Sequence, residues 1–191
     1  MKEAVNKKEA VVKNLLKALA ILLILLGLAA LGWWAKFQFD FVTYQDIKEG
    51  IVISYPRGWE LQDHPHPDVI AIFVAPKTNA LQTFRENFNI ATADLSKNPL
   101  TIQQYAEIAI RQMTAVFQDT VVDERRYLKV AGHDAVKFVF HAKGNLETYL
   151  IVYAFIYRDI AYTFTYTGMS DQYLASKLKL EHMIKTVKLF F

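Results

Sequence analysis

The sequence predicts an α+β domain, an antiparallel sheet covered by two long helices, behind one N-terminal helix that crosses a membrane. Three observations predict it. A charge-free apolar run ends in two tryptophans, short β-rich stretches follow one another across turns too tight for a parallel crossover, and two later segments show helical periodicity with one apolar stripe.

The apolar run comes first. Between Ala18 and Ala35 there is no charged residue, and these eighteen positions span about 27 Å as a helix, close to the hydrocarbon thickness of a bilayer. Lys2, Lys7, Lys8, Lys13 and Lys17 precede it against Glu3 and Glu9, so the N-terminus is expected in the cytoplasm. Trp33 and Trp34 then belong at the far interface, and Lys17 and Lys36 bracket the span. Ala30-Leu31-Gly32 would serve as a cleavage site, but the run is longer than a signal-peptide core and the tryptophans lie beyond the cut, which favours an uncleaved anchor. The expected organisation is residues 1–14 cytoplasmic, 15–36 in a plasma or photosynthetic membrane, 37–47 a linker and 48–191 an extracytoplasmic domain.

Charge and cysteine content remove several function classes. The net charge of +3 resides in residues 1–35, with five Lys and two acids; residues 36–191 carry 17 basic and 17 acidic side chains. A neutral domain lacks the electrostatic term on which nucleic-acid binding depends. The absence of Cys excludes disulfides, thiol catalysis, cysteine zinc sites and an acylated lipoprotein anchor.

Within the domain, Gly50–Tyr55 reads as a strand stopped by Pro56, with Gly58 and Trp59 completing a turn beside the core. The loop Asp63–Asp68 is non-helical because each proline holds its predecessor extended. Val69–Ala75 is a buried strand ended by Pro76, and Phe88–Asp94 a third strand. Thr101–Phe117 is the clearest helix, opened by a Thr101/Gln104 capping box and carrying Ile102, Tyr105, Ala109 and Met113 on one stripe. Val121–Leu128, Ala135–Ala142, Leu150–Tyr157 and Ala161–Tyr166 are strands joined by turns at Ala131-Gly132, Gly144-Asn145 and Arg158-Asp159. Ser170 is placed to cap a last helix reaching Lys185, with Leu174, Leu178, Leu180 and Ile184 as its apolar residues.

Several of these segments resemble one family. Gly50-Ile-Val-Ile-Ser-Tyr-Pro-Arg-Gly-Trp59 is similar to the opening G-x-x-x-x-Y-P-x-x-W of PsbP-like domains, and Arg85-Glu-Asn-Phe-Asn-Ile-Ala91 to their R-x-N-x-x-V strand. Leu100-Thr-Ile-Gln-Gln-Tyr-Ala106 resembles their L-T-x-x-x-Y-A helix start, Gly132-His-Asp-Ala135 their G-x-x-A turn, and Ala161–Tyr166 their late aromatic strand. The resemblance covers about residues 44–188 in order and takes in bacterial PsbP-related and DcrB-type domains as well as a nuclear Ran-binding relative, which the apolar run argues against here. It implies an α-β-α sandwich and a binding or assembly role without established catalysis. A membrane helix stands where the photosystem protein has a flexible basic docking arm, so photosystem docking is not carried over.

Two candidate sites emerge. Asp63, His64, His66 and Asp68 offer imidazole and carboxylate ligands on a stiff loop, which suits a divalent metal. Some members of the resembled family bind such ions. Residues two apart in extended chain diverge, so both histidines reach one ion only with a ligand from elsewhere; a solvated surface loop is the simpler account. The second is aromatic. Tyr149, Tyr153 and Tyr157 share a face, as do Tyr162, Phe164 and Tyr166, and an exposed part of either stripe would suit a partner protein. For most of them packing beneath the helices is the expectation, which leaves part of one stripe for a partner.

Catalysis is not advertised. The four serines (Ser54, Ser96, Ser170 and Ser176) lie outside any G-x-S-x-G, and no H-E-x-x-H or phosphate-binding glycine loop is present. His133 and His141 read as structural, and Asp123-Glu124-Arg125-Arg126 as a solvated ion cluster. The expected partners are the lipid bilayer and a membrane-protein complex assembled or stabilised outside the membrane, with no nucleic acid, enzyme activity or obligatory cofactor. The alternative expectation is an envelope protein that binds a metal at the His64/His66 loop or a small molecule in a sheet–helix cleft.

Overall fold

A computed structural model describes residues 2–77, 82–116, 120–142, 147–170 and 173–190. The chain divides into an N-terminal helical unit and a domain that begins at Val42. The helix, α1 (Lys2–Phe39), contains a segment, Leu15–Trp34, long and apolar enough to cross a membrane, and the leucines and isoleucines of that segment are exposed. Trp33, Trp34, Lys17 and Lys36 are all exposed on it.

The domain is built on a seven-stranded, wholly antiparallel sheet in the order β3 (Glu60–His66), β4 (Val69–Val74), β5 (Asn87–Asp94), β9 (Ile160–Met169), β8 (Thr148–Tyr157), β7 (His133–Ala142) and β6 (Thr120–Val130). A second sheet of three strands joins β1 (Phe41–Asp46), β2 (Ile51–Pro56) and β10 (Lys188–Leu189), bringing the start and end of the domain together. Neither β1 nor β10 was expected, and β1 fills most of the segment expected to be a linker. Of the predicted hairpins, β6–β7 turns at Ala131 and Gly132 and β8–β9 at Arg158 and Asp159; all four residues have positive φ, as a two-residue type I′ turn requires. The turn at Gly144-Asn145 lies outside the described residues.

The helices take opposite faces. On α2 (Ile102–Val116), Ala106 is fully buried against Val136, Phe138 and Phe140 of β7 and Leu150 and Val152 of β8, flanked by Ile102, Tyr105 and Met113. Its start is the predicted capping box: the Thr101 N–H donates to Gln104 Oε1 (2.9 Å) and the Gln104 N–H to Thr101 Oγ1 (3.2 Å). The other face carries Phe73, Phe88, Phe155, Tyr162, Phe164 and Tyr166, all buried, beneath α3 (Tyr173–Thr186) and the small sheet. Thr186 Oγ1 ties α3 to that sheet by accepting the Ser54 N–H at 2.9 Å.

Two expectations about α3 need correction. Leu178 is 54% exposed and does not join the core, which receives Leu180, Met183 and Ile184 instead. The Ser170 hydroxyl does not cap the helix; it is buried without a hydrogen-bond partner among the described residues, while the Ser170 N–H donates to the Glu147 carbonyl.

Candidate functional site

The proline-rich loop folds as edge strand rather than as loop. Pro65 is tolerated there because an edge strand leaves one row of N–H groups unused. Asp63 pairs with Ala71 and His66 with Val69, so two residues of β3 bulge opposite Ile70 alone. His64 sits in that bulge with φ of 44°, a left-handed conformation that re-aims its ring.

The ring is aimed at Asp46. His64 Nε2 lies 3.2 Å from Asp46 Oδ2 and His64 Nδ1 lies 3.2 Å from Asp63 Oδ1. The Tyr44 hydroxyl completes the group, donating to Asp63 Oδ1 at 2.7 Å and reaching Asp46 Oδ2 at 3.2 Å. Asp46 also accepts the Glu49 N–H at 2.8 Å, which closes the turn into β2. A hydroxyl has one proton, so its shorter bond goes to Asp63 and the imidazole is the better donor left for Asp46. Two elements of the small sheet, the β1 strand and the following turn, are thereby joined to β3 of the large one.

The electrostatics follow from this geometry. The Tyr44 hydrogen bond, and then His64, hold the Asp63 carboxyl below the usual carboxylate range. Burial, and then the hydrogen bond to Asp63, push the Tyr44 phenol far above its ordinary value. Among the described residues, Asp46, Asp63 and His64 each place one ligand atom within 4.8 Å of the others, a spacing that a single divalent ion can span. His66 and Asp68 are exposed and lie outside this group. The third member of the group, Asp46, comes from β1. Alternation would have put an apolar side chain at that buried position, and its sequence distance from His64 gave no local signal.

The tyrosines divide by depth. Tyr153, Tyr162 and Tyr166 are buried, because both aromatic stripes fall on the face that α3 and the small sheet cover. Packing accounts for Tyr162 and Tyr166, while Tyr153 also borders an open cleft. Tyr149 and Tyr157 are half-buried: Tyr149 stacks on His141 at 4.5 Å and on Tyr173 at 4.7 Å, and Tyr157 lies 4.7 Å from His133. Both histidines pack against aromatic rings. Glu124 is not simply solvated, since it accepts a 2.8 Å hydrogen bond from the buried Lys137 ammonium, which holds its carboxyl low. Tyr153 forms part of the wall of a cleft of about 500 Å³ between β6 and α3.

No family model and no curated protein sequence matches this chain. Solved structures do. The cyanobacterial PsbP (CyanoP) of Synechocystis sp. PCC 6803 superposes with a TM-score of 0.61 over 79% of this chain and 93% of its own, at 16% identity. LpqN of Mycobacterium tuberculosis, described as involved in cell envelope biogenesis, gives 0.58 over 79% and 91% at 9% identity. The Saccharomyces cerevisiae Ran-binding protein Mog1p gives 0.57 over 78% and 95%, also at 9% identity. Such identities speak for architecture, and on it the three agree: behind its apolar helix, this chain carries a domain with the PsbP-like fold.

Proposed function

We propose that this protein is anchored by α1 in a plasma or photosynthetic membrane and holds its PsbP-like domain on the extracytoplasmic side. There the domain binds, and helps assemble or stabilise, a membrane-protein complex without catalysing a reaction. The observation that carries this reading is the joining of a membrane-length apolar helix, lysine-rich on its N-terminal flank, to a neutral domain of this fold. Solved neighbours described as a PsbP, a Ran-binding protein and an envelope-biogenesis protein support a binding role. The half-buried Tyr149 and Tyr157 are the members of the aromatic stripes that could still meet such a partner. Crosslinking in intact membranes, gentle solubilisation and mass spectrometry test the reading. A defined set of crosslinked membrane proteins is expected, and recovery of monomer alone would contradict it.

A second reading is favoured by the convergence of Asp46, Asp63 and His64: the domain binds a divalent cation between its two sheets. Calorimetric titration with zinc separates the two. On the metal reading, binding is lost in His64→Ala and Asp46→Ala and kept in His66→Ala; negligible binding by the unaltered protein would remove it.

A further inference from the structure

Strand β6 closes one end of the large sheet. It pairs with β7 on one side, and no described strand pairs with its outer edge along its 11 residues. It contains no proline, and Val121 is 48% exposed on it. A bulge between Val122 and Glu124 breaks the register of its first half, but Arg125–Val130 runs in continuous register with β7, and the outer edge of that stretch is a template for another strand. Beside it runs the cleft of about 500 Å³, whose apolar lining includes Leu128 and Val130 of β6 together with Ile184 and Val187. The α3 wall continues outward through the exposed Leu178, which shares a stripe with the cleft residues Glu181 and Lys185 at helical spacing. A helix and an open-edged strand with a partly apolar gap between them form a geometry that receives an extended peptide.

Charge decides what kind of peptide. Arg126, Lys129 and Lys185 line this cleft against one acid, Glu181, in a domain whose formal charges balance overall. Lys129 is engaged by Asp134 at 2.9 Å. Arg126 is held loosely: its carboxylate neighbour Glu124 lies 3.9 Å away and is committed to Lys137 at 2.8 Å. Arg126 and Lys185, both exposed, are thus the cations on offer.

We propose that the cleft between β6 and α3 is the docking site for an extended acidic segment of the partner protein, which adds to the outer edge of β6. Its carboxylates meet Arg126 and Lys185, and its apolar side chains enter the gap lined by Leu128, Val130 and Ile184. This rests on the binding reading above and names the chemistry of the partner.

The full chain in lipid nanodiscs is titrated with a short fluorescein-labelled peptide of repeating Asp-Ser-Val-Ser, which sets Asp and Val on the same strand face, and with the same peptide carrying Lys for Asp. The acidic peptide should bind selectively and lose affinity as salt rises. The double variant Arg126→Glu/Lys185→Glu should weaken it by at least about tenfold, since two attractive contacts become repulsive, while His66→Ala should leave it unchanged. Both reversed side chains are exposed, and circular dichroism checks that the variant is folded. Equal affinity for the two peptides, including none for either, or wild-type affinity in the double variant would overturn the proposal. Crosslinking then separates it from the broader reading. A membrane complex that persists unchanged in the double variant overturns this docking site alone, whereas absence of any complex in the unaltered protein overturns the binding reading itself.

Discussion

Replacing Asp46 with alanine should destabilise the domain far more than replacing Asp63, although both carboxylates touch the same tyrosine and the same histidine. Asp46 is 7% exposed and accepts from the Glu49 N–H, with His64 Nε2 and the Tyr44 hydroxyl both at 3.2 Å. A hydrogen bond to a charged group contributes about 1.5–3 kcal/mol, and a buried donor left without its acceptor costs a similar amount. Tyr44 and His64 each keep Asp63 as an alternative acceptor, so the loss should be about 2–3 kcal/mol rather than the full sum. The Asp63 side chain is 61% exposed, where water replaces lost contacts and screens charge, and its removal should cost under about 1 kcal/mol. Urea denaturation of the domain, followed by tryptophan fluorescence, measures both. The Asp46→Ala midpoint should fall by about 1 M at an unchanged slope, given slopes of about 1–3 kcal/mol per molar urea. A shift corresponding to less than about 1 kcal/mol for Asp46→Ala, or equal shifts for the two variants, would refute the assignment of this cluster as the tie between the sheets.

Three further outcomes follow from contacts elsewhere in the domain. Glu124 is held below its ordinary range by Lys137, so its pairing stabilises the folded state above the unfolded-chain value and is lost as pH falls through the lower folded value. The stability gap between the unaltered protein and Glu124→Gln should therefore be widest near neutral pH and close on acidification; a constant gap would contradict the pairing. A Cβ at Gly168 would overlap the buried Tyr166 ring, hydroxyl included, so Gly168→Ala should cost about 1–3 kcal/mol by overpacking. Tyr166→Phe removes the hydroxyl that the new Cβ would strike first, so it should recover part of the Gly168→Ala loss in thermal melts.

Local chemistry was legible in the sequence wherever the deciding residues are neighbours. Thr101 and Gln104 are three apart and form the capping box, and Arg158 and Asp159 make the tight turn that separates two aromatic runs. The elements that escaped depend on distant partners. Strand β10 is two residues long and exists because it pairs with β2 from the far end of the chain. Strand β3 is almost wholly exposed, so it carries no alternation of apolar and polar side chains. In β1 the buried positions are Tyr44 and Asp46, and the carboxylate at the second interrupts the pattern a strand would show. That same substitution of charge for an apolar side chain hid the third member of the His64 cluster. Burial was expected for most of the aromatic stripes, but that it takes Tyr153, Tyr162 and Tyr166 depends on both covers, α3 and the small sheet, falling on one face.

The central claim is that α1 stays in the membrane with the PsbP-like domain on the extracytoplasmic side. The chain has no native cysteine, so single substitutions report topology without background. With Asn6→Cys and Ser96→Cys made separately in the full chain, a membrane-impermeant maleimide is applied to intact cells, to permeabilised cells and to isolated membranes. Ser96→Cys should label in intact cells and remain with the membrane fraction, while Asn6→Cys should label only after permeabilisation. Labelling of Asn6→Cys in intact cells with Ser96→Cys protected, or recovery of the labelled domain as a soluble fragment lacking α1, would contradict the account.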